Sequence, residues 1–335
     1  MPGKKKNSKL YPSKLKVNIF FLSLFSFCFI SVSTFSIYNG VNSSKSANIA
    51  STKMEVIASE KAHSVVKPLL INNSVFPLLT AQSVLAVDLA SEEILFEKDP
   101  NQPSLPASTT KIMTALVALD YFPLDKIVKV NGLRVEGQKM GLIEGEELTV
   151  DDLLHGLLVY SANDAAETLA ENFPGGREFF VTSMNLKAKR LGLNDTIFTN
   201  PSGLDDIDQQ TSAADLIKIS VVAMENPIFS KIVSTKEKIV ISTDGRIEHK
   251  LVNINKLLGS VEGVLGVKTG WTENARENLV TYVKRDDKEL MIALLGSQDR
   301  FGETENLINW ILTSYEWREF DESNQMMSTV SNEIL

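Results

Sequence analysis

Cysteine and histidine are scarce in this chain of 335 residues, which has one cysteine and three histidines. The single cysteine, Cys28, excludes a disulfide within the chain and a site built from several cysteines. The histidines, His63, His155 and His249, are too scattered for a metal-ligand motif. We therefore predict no metal site and no Ser-His-Asp triad. A serine nucleophile in this chain would need a lysine as its base.

An excess of positive charge is also missing. The chain has 34 Lys and Arg against 42 Asp and Glu, a formal net charge of -8. This balance argues against a nucleic-acid partner. The apolar content of 43% is sufficient for one large domain or two ordinary ones.

Acidic residues are absent from the N-terminal segment. Residues 1–16 contain six lysines, and the following residues are uncharged as far as Ser44. A basic segment before an apolar run is typical of an export signal whose lysines stay in the cytoplasm. We predict a cytoplasmic basic segment at 1–16, a transmembrane signal-anchor at 17–40 and a linker at 41–76. The protein would then be a single-pass cell-membrane protein with its domain outside the cytoplasm, or a secreted one if the segment is cleaved.

Residues 77–317 carry the pattern of one folded domain. Apolar alternation predicts strands near both ends of this domain, and capping and helical periodicity predict a mostly helical middle from Leu105 to Glu225. We predict an α/β (α+β) domain with a five-stranded, mostly antiparallel sheet, flanking helices and an all-helical lobe. The polar residues 318–335 predict a flexible tail.

The first candidate chemical motif is S-x-x-K, from Ser108 to Lys111. Pro106 precedes an apolar run, so a helix should begin near Ser108 and continue into the core. Three-residue spacing places the hydroxyl and the amine on one helical face. A lysine entering such a helix must be paired or become neutral, and a neutral amine could deprotonate the serine. A lone S-x-x-K occurs often by chance, and a capping serine beside a solvated lysine is its more common explanation.

Two further motifs follow. Ser161 and Asn163 form an S-x-N at a predicted break between helices, and Lys268, Thr269 and Gly270 form a K-T-G on a late predicted strand. Each motif alone has an ordinary structural explanation, as a turn or as an edge strand.

In this order, the three motifs resemble the signature of penicillin-binding proteins and class A β-lactamases. Residues 81–317 resemble the D-alanyl-D-alanine carboxypeptidases, the low-molecular-mass serine penicillin-binding proteins. The similar segments are 106–114, 161–166 (with Ala162 where glycine is usual), 200–204 and 212–216. The resemblance implies the serine penicillin-recognising (β-lactamase-like) fold.

The resemblance also implies a site and its partners. Catalytic residues would be Ser108, Lys111 and Ser161, and substrate-binding residues would be Asn163, Lys268, Thr269, Gly270 and Trp271. The substrates would be peptidoglycan stem peptides ending in D-Ala-D-Ala, β-lactams would be covalent inhibitors, and no cofactor would be needed. The backbone N–H groups of Ser108 and Trp271 would form the oxyanion hole.

Alternative functions remain at this point. A D,D-endopeptidase would use the same residues. A class A-like β-lactamase would need a glutamate where residues 197–206 offer only Asp205 and Asp206. A catalytically silent peptidoglycan-binding homologue is favoured by Arg276, which stands where the family often has a small residue. The stretch 253–256 lacks the arginine with which some members hold the substrate carboxylate.

Overall fold

The computed structural model of the protein describes residues 64–71, 75–132 and 135–321. The helical elements are a 3-10 turn at Ala107–Thr110, α1 Lys111–Tyr121, α2 Val150–Leu158, α3 Asn163–Glu171, α4 Gly176–Arg190, α5 Ala213–Glu225, α6 Pro227–Val233 and α7 Arg300–Ser314. The strands are β1 Ser64–Leu70, β2 Ser83–Asp88, β3 Ile94–Lys98, β4 Ile127–Lys129, β5 Glu147–Thr149, β6 Glu237–Ile241, β7 Glu248–Val252, β8 Val264–Thr272, β9 Arg276–Arg285, β10 Lys288–Ser297 and β11 Tyr315–Asp321.

A five-stranded sheet in the order β3-β2-β10-β9-β8 joins the two ends of the domain. Every neighbouring pair is antiparallel. The predicted sheet is therefore confirmed, and β8, which carries the K-T-G motif, lies at its edge next to the helical lobe.

The two faces of the sheet belong to two apolar clusters, because side chains alternate along a strand. On β10, Met291 and Ala293 belong to the cluster that contains the helical lobe. Leu290 and Ile292 belong to the cluster that contains Leu307 of α7. The sheet is thus covered by the helical lobe on one side and by α7 on the other.

The helical lobe is organised around α1, which is buried from Lys111 to Ala118. A helix that is buried on all faces must be surrounded, and α1 contacts α2, α4 and α5. Side-chain N-caps begin two of the helices. Thr149 accepts a hydrogen bond from the Asp152 amide at 3.1 Å, and Ser212 accepts one from the Asp215 amide at 3.2 Å.

The predicted linker and tail differ from the structure over β1 and β11. β1 lies inside the expected linker, and it pairs with β11, which runs four residues past the expected end of the domain at 317. β11 is attached to the sheet by the Trp317 indole, which donates to Asp88 at 2.9 Å, and by the Tyr315 hydroxyl, which donates to the Leu95 carbonyl at 2.7 Å. β1 and β11 are far apart in the sequence, and neither segment alone has the apolar alternation that indicates a strand.

The helix α6 was also missed, although its signal is present. Asn226 accepts hydrogen bonds from the amides of Ile228 and Phe229, and Pro227 occupies the first helical position. Asparagine at the N-cap followed by proline is a helix start signal.

The predicted cytoplasmic segment and signal-anchor lie outside the described residues. Within the part of the chain that the structure describes, no helix combines the length and apolar character needed to span a bilayer.

Candidate active site

The nucleophile segment runs from Leu105 into the 3-10 turn and α1. In a 3-10 helix, side chains three residues apart eclipse each other, so Ser108 and Lys111 lie on one face. Lys111 Nζ is 2.9 Å from Ser108 Oγ. Ser108 is partly accessible, whereas Lys111 is fully buried. The side-chain amide of Asn278 on β9 donates to the Leu105 and Pro106 carbonyls at 2.9 and 3.0 Å, which ties this segment to the sheet.

Lys111 Nζ has two other partners, and both are oxygens that can only accept hydrogen bonds. One is Asn163 Oδ1 at 2.7 Å, and the other is the Ser202 carbonyl oxygen. A neutral amine has two hydrogens and one lone pair. If the two hydrogens go to these acceptors, the lone pair faces the Ser108 hydroxyl. The geometry therefore suits a lysine that accepts the serine proton.

The protonation of Lys111 is set mainly by its burial. Burial lowers the pKa of Lys111 from 10.5 to about 7, and the carboxylates of Glu167 and Asp164 act in the opposite direction. A substantial fraction of the amine is therefore neutral near pH 7. The mutual repulsion of the two buried lysines lowers the pKa of Lys268, as described below.

Ser161 and Asn163 lie at the predicted break, between the end of α2 and the start of α3. Ser161 is buried and has a φ of 62°, a left-handed conformation that is unusual for serine and is found preferentially at functional sites. The side-chain Nδ2 of Asn163 donates to the Glu136 carbonyl at 2.7 Å, and its main-chain N–H donates to the Gln138 carbonyl at 2.7 Å. The loop before β5 thus holds Asn163 against Lys111.

Lys268 on β8 is the second buried lysine of the site. Its Nζ lies 2.8 Å from Ser161 Oγ and 2.9 Å from the Thr269 carbonyl oxygen. Burial lowers the pKa of Lys268 well below its ordinary value of 10.5, and the charges of Lys111 and Arg300 lower it further. The hydroxyl of Thr269 is buried and has no hydrogen-bond partner in the described residues, so it is available to a ligand.

Gly270 and Trp271 bring the edge strand against the nucleophile segment. A Cβ atom on Gly270 would lie 3.1 Å from the Pro106 carbonyl oxygen and 3.2 Å from the Ser108 amide nitrogen, so any larger residue would be crowded against the nucleophile segment. The indole of Trp271 is 61% exposed at the end of the strand. The structure therefore brings all eight predicted site residues into one constellation.

Three residues of this constellation were not predicted as site residues. Ser202 contributes a main-chain oxygen, and its segment was noted only for its similarity to the family. Glu167 acts on Lys111 through its charge. Arg300, at the start of α7, donates through Nη1 to the Gly270 carbonyl at 2.7 Å. Arg300 lies far from every motif in the chain, and Glu167, although only four residues after Asn163, belongs to no motif itself.

Arg276 and Arg300 answer two concerns raised by the sequence. Arg276 is exposed at the first position of β9, at a φ of 59°, and Asn278 two residues later still bonds to the nucleophile segment. The stretch 253–256 lacks an arginine. Arg300, at the start of α7, instead places a guanidinium beside β8, where it donates to the Gly270 carbonyl. Within the described residues, no group of three or more His, Cys, Asp or Glu is arranged to hold a metal.

This fold, with a serine against a buried lysine and a second serine–lysine pair, defines an acyl-transferring serine enzyme of the penicillin-recognising class. More specifically, the chain belongs to the D-alanyl-D-alanine carboxypeptidase family, which it matches over residues 72–299. The family and the fold inferred from the motifs are confirmed.

Individual relatives agree with this assignment. A D-alanyl-D-alanine carboxypeptidase of Mycobacterium tuberculosis is 39% identical over 219 residues, covering 64% of this chain and 74% of the relative. A D-alanyl-D-alanine endopeptidase of Escherichia coli is 29% identical over 245 residues, covering 71% of this chain and 79% of the relative. The crystal structure of the Streptomyces K15 DD-transpeptidase is similar with a TM-score of 0.67 at 28% identity, covering 72% of this chain and 100% of that one.

Proposed function

We propose that the protein removes the terminal D-alanine from peptidoglycan stem pentapeptides through an ester on Ser108. One observation carries the proposal: Lys111 Nζ lies 2.9 Å from Ser108 Oγ, while its other two partners are acceptors that direct the lone pair toward that hydroxyl.

In the acylation step, Ser108 Oγ attacks the carbonyl carbon of the D-Ala–D-Ala bond while Lys111 takes the hydroxyl proton. A C–O bond forms, and the carbonyl electrons move to the oxygen. The backbone N–H groups of Ser108 and Trp271, on segments that approach closely at Gly270, stabilise this oxyanion. Loss of one such donor typically costs about 2.7–4 kcal/mol of transition-state stabilisation.

In the next step the peptide C–N bond breaks, and the departing D-alanine needs a proton on its nitrogen. Ser161 lies 2.8 Å from Lys268, which makes the pair a route for this proton. Lys111 and Lys268 are buried close to each other, so two protonated amines here would repel each other. The proton that Lys111 takes from Ser108 is therefore readily passed on.

The carboxylate of the terminal D-alanine requires cationic and hydroxyl donors. Thr269 offers an unpaired buried hydroxyl, and Arg300 places positive charge near Lys268. We assign carboxylate binding to Lys268, Thr269 and Arg300. Water then hydrolyses the ester and releases the shortened peptide, and a β-lactam acylates the same oxygen but leaves slowly.

A D,D-endopeptidase is the second candidate, since a relative with that name covers 71% of this chain. It would cleave a D-alanyl bond within a cross-link rather than at a free end. A class A-like lactamase is disfavoured because both carboxylate oxygens of Asp205 accept hydrogen bonds, from Thr272 at 2.7 Å and Asn274 at 3.0 Å. Asp206 is the other carboxylate of this stretch, and neither residue is the glutamate that such a lactamase needs. A catalytically silent homologue would give no adduct in the test below.

The test uses the full chain with benzylpenicillin and intact-mass spectrometry. We expect one covalent adduct, absent in Ser108→Ala and retained in Ser260→Ala, a control at an exposed serine. Free D-alanine should be released from a stem pentapeptide in a Ser108-dependent manner. An adduct without D-alanine release, together with cleavage of a cross-linked dimer, would favour the endopeptidase. No adduct at all would refute the proposal.

We further propose that residues 17–40 attach the protein to the cell membrane, with the domain on the outer side. Support comes from the lysine-rich segment before an uncharged run long enough to span a bilayer. In cells, the full chain should sediment with membranes and resist extraction by salt, while the domain is digested by a protease added outside. A full-length chain found only in the soluble fraction would contradict this.

A further inference from the structure

An ion pair lies close to the catalytic lysine but belongs to none of the motifs. Glu167 Oε2 accepts a hydrogen bond from Arg177 Nε at 2.7 Å. The Glu167 side chain is 13% exposed and that of Arg177 is 38% exposed. Glu167 lies on α3 and Arg177 on α4, so the pair joins two helices of the lobe.

Glu167 is connected to two of the groups that hold Lys111. It lies four residues after Asn163 on α3, which places the two side chains on the same face of the helix. Its other oxygen, Oε1, is 3.4 Å from the Ser202 hydroxyl, and the carbonyl of that serine contacts Lys111. Glu167 thus lies directly behind the contacts that direct the Lys111 amine.

The charged groups around Lys111 are the carboxylates of Asp164 and Glu167 on α3 and the amine of Lys268 on β8. Asp164 is compensated by main-chain donors, because its oxygens accept from the amides of residues 140, 141, 142 and 165 at 2.9–3.0 Å. Arg177 offsets part of the Glu167 charge. An uncompensated carboxylate here would favour the protonated form of Lys111.

We propose that Arg177 is a positioning residue for acyl transfer: its guanidinium offsets part of the Glu167 charge that favours protonated Lys111, so that Lys111 can present a free amine to Ser108. This inference rests on the proposed function. It assigns a role to a side chain on α4, a helix that carries none of the motif residues. The pair acts through Lys111 alone and contacts no substrate.

The experiment measures the rate constant of acylation of the full chain by a fluorescent penicillin as a function of pH. The rate should rise with pH as Lys111 loses its proton. In Arg177→Met this rise should move to higher pH by roughly half a unit to one unit, with the alkaline plateau unchanged. Below the midpoint the rate should fall roughly three- to tenfold. Arg177→Lys, which keeps the charge, should restore the wild-type profile.

Glu167→Gln should move the rise in the opposite direction, because the carboxylate that favours the protonated amine is removed. In the Glu167→Gln background, Arg177→Met should have little further effect, since the guanidinium acts through the carboxylate. Glu171→Gln is the matched control: it removes the same charge one turn farther along α3, at an exposed position, and should leave the profile unchanged.

A direct titration of the lysine side chains by NMR, with carbon-labelled lysine, gives a readout that does not depend on activity. The Lys111 resonance, assigned with Lys111→Met, should titrate at higher pH in Arg177→Met. Thermal unfolding of each variant reports whether the fold is intact. Equal profiles for Arg177→Met and the wild type, or a loss of plateau rate with no change of midpoint, would overturn the inference. Absence of any acylation in the wild type would instead refute the proposed function.

Discussion

Replacing Asn163 by aspartate tests whether acyl transfer depends on a neutral Lys111. Aspartate keeps the shape of the side chain but places a carboxylate oxygen where the amide oxygen now lies 2.7 Å from Lys111 Nζ. An opposite charge this close raises the pKa of an amine by about 1–3 units. Starting from about 7, the pKa of Lys111 should therefore rise to roughly 8–10.

The size of the effect follows from the fraction of neutral lysine. At pH 7 this fraction is about one half in the wild type and falls to between about one tenth and one thousandth in Asn163→Asp. Acylation at this pH should therefore slow roughly 5- to 500-fold. Because the base is only masked by a proton, the rate should recover as the pH is raised.

The substitution also removes a hydrogen bond, since Asn163 Nδ2 donates to the Glu136 carbonyl at 2.7 Å. Asn163→Ala separates the two effects, because it loses the same bond without adding a charge. Acylation by a fluorescent penicillin is measured across the pH range for both variants and the wild type. We expect a displaced rise for Asn163→Asp and a uniformly lowered rate for Asn163→Ala. Parallel profiles for the two variants would refute the reasoning.

Three further predictions concern stability. Lys111→Met should stabilise the fold most at low pH. The Lys111 pKa is 10.5 in the unfolded chain and about 7 in the folded chain, so the stability of the wild type rises as the pH increases from about 7 to 10.5. The gain in urea denaturation should then shrink by about 1.4 kcal/mol per pH unit across that window, and a pH-independent gain would contradict it. His249→Phe should lower the unfolding free energy by about 1–3 kcal/mol, since its Nε2 lies 2.7 Å from a buried Glu146 oxygen that would lose this hydrogen bond; an unchanged melting temperature would argue against this. Gly203→Ala should lower both stability and acylation, because the new Cβ would lie 1.9 Å from the Ala107 carbonyl oxygen at a φ of 84°. Gly132→Ala, with a φ of 62° and open space, is its control and should cost only about 1–2 kcal/mol in calorimetry.

The nucleophile pair could be predicted from the sequence because its geometry is local. Ser108 and Lys111 are three residues apart, and any helical turn that includes both places their side chains together. The caps at Thr149 and Ser212 are local for the same reason, and so is the turn at Asp244-Gly245 between β6 and β7. The five strands of the sheet carry enough apolar alternation to be located individually.

Tertiary structure decided the contacts that connect distant parts of the chain. The Ser202 carbonyl that completes the Lys111 environment lies 91 residues away in sequence, and a main-chain oxygen leaves no residue-type signal. Arg300 reaches Gly270 from the start of α7, and Arg177 neutralises Glu167 from a neighbouring helix. Helix and turn geometry acts over a few residues, whereas the burial that lowers a lysine pKa and the charges that oppose it depend on which segments the folded chain brings together.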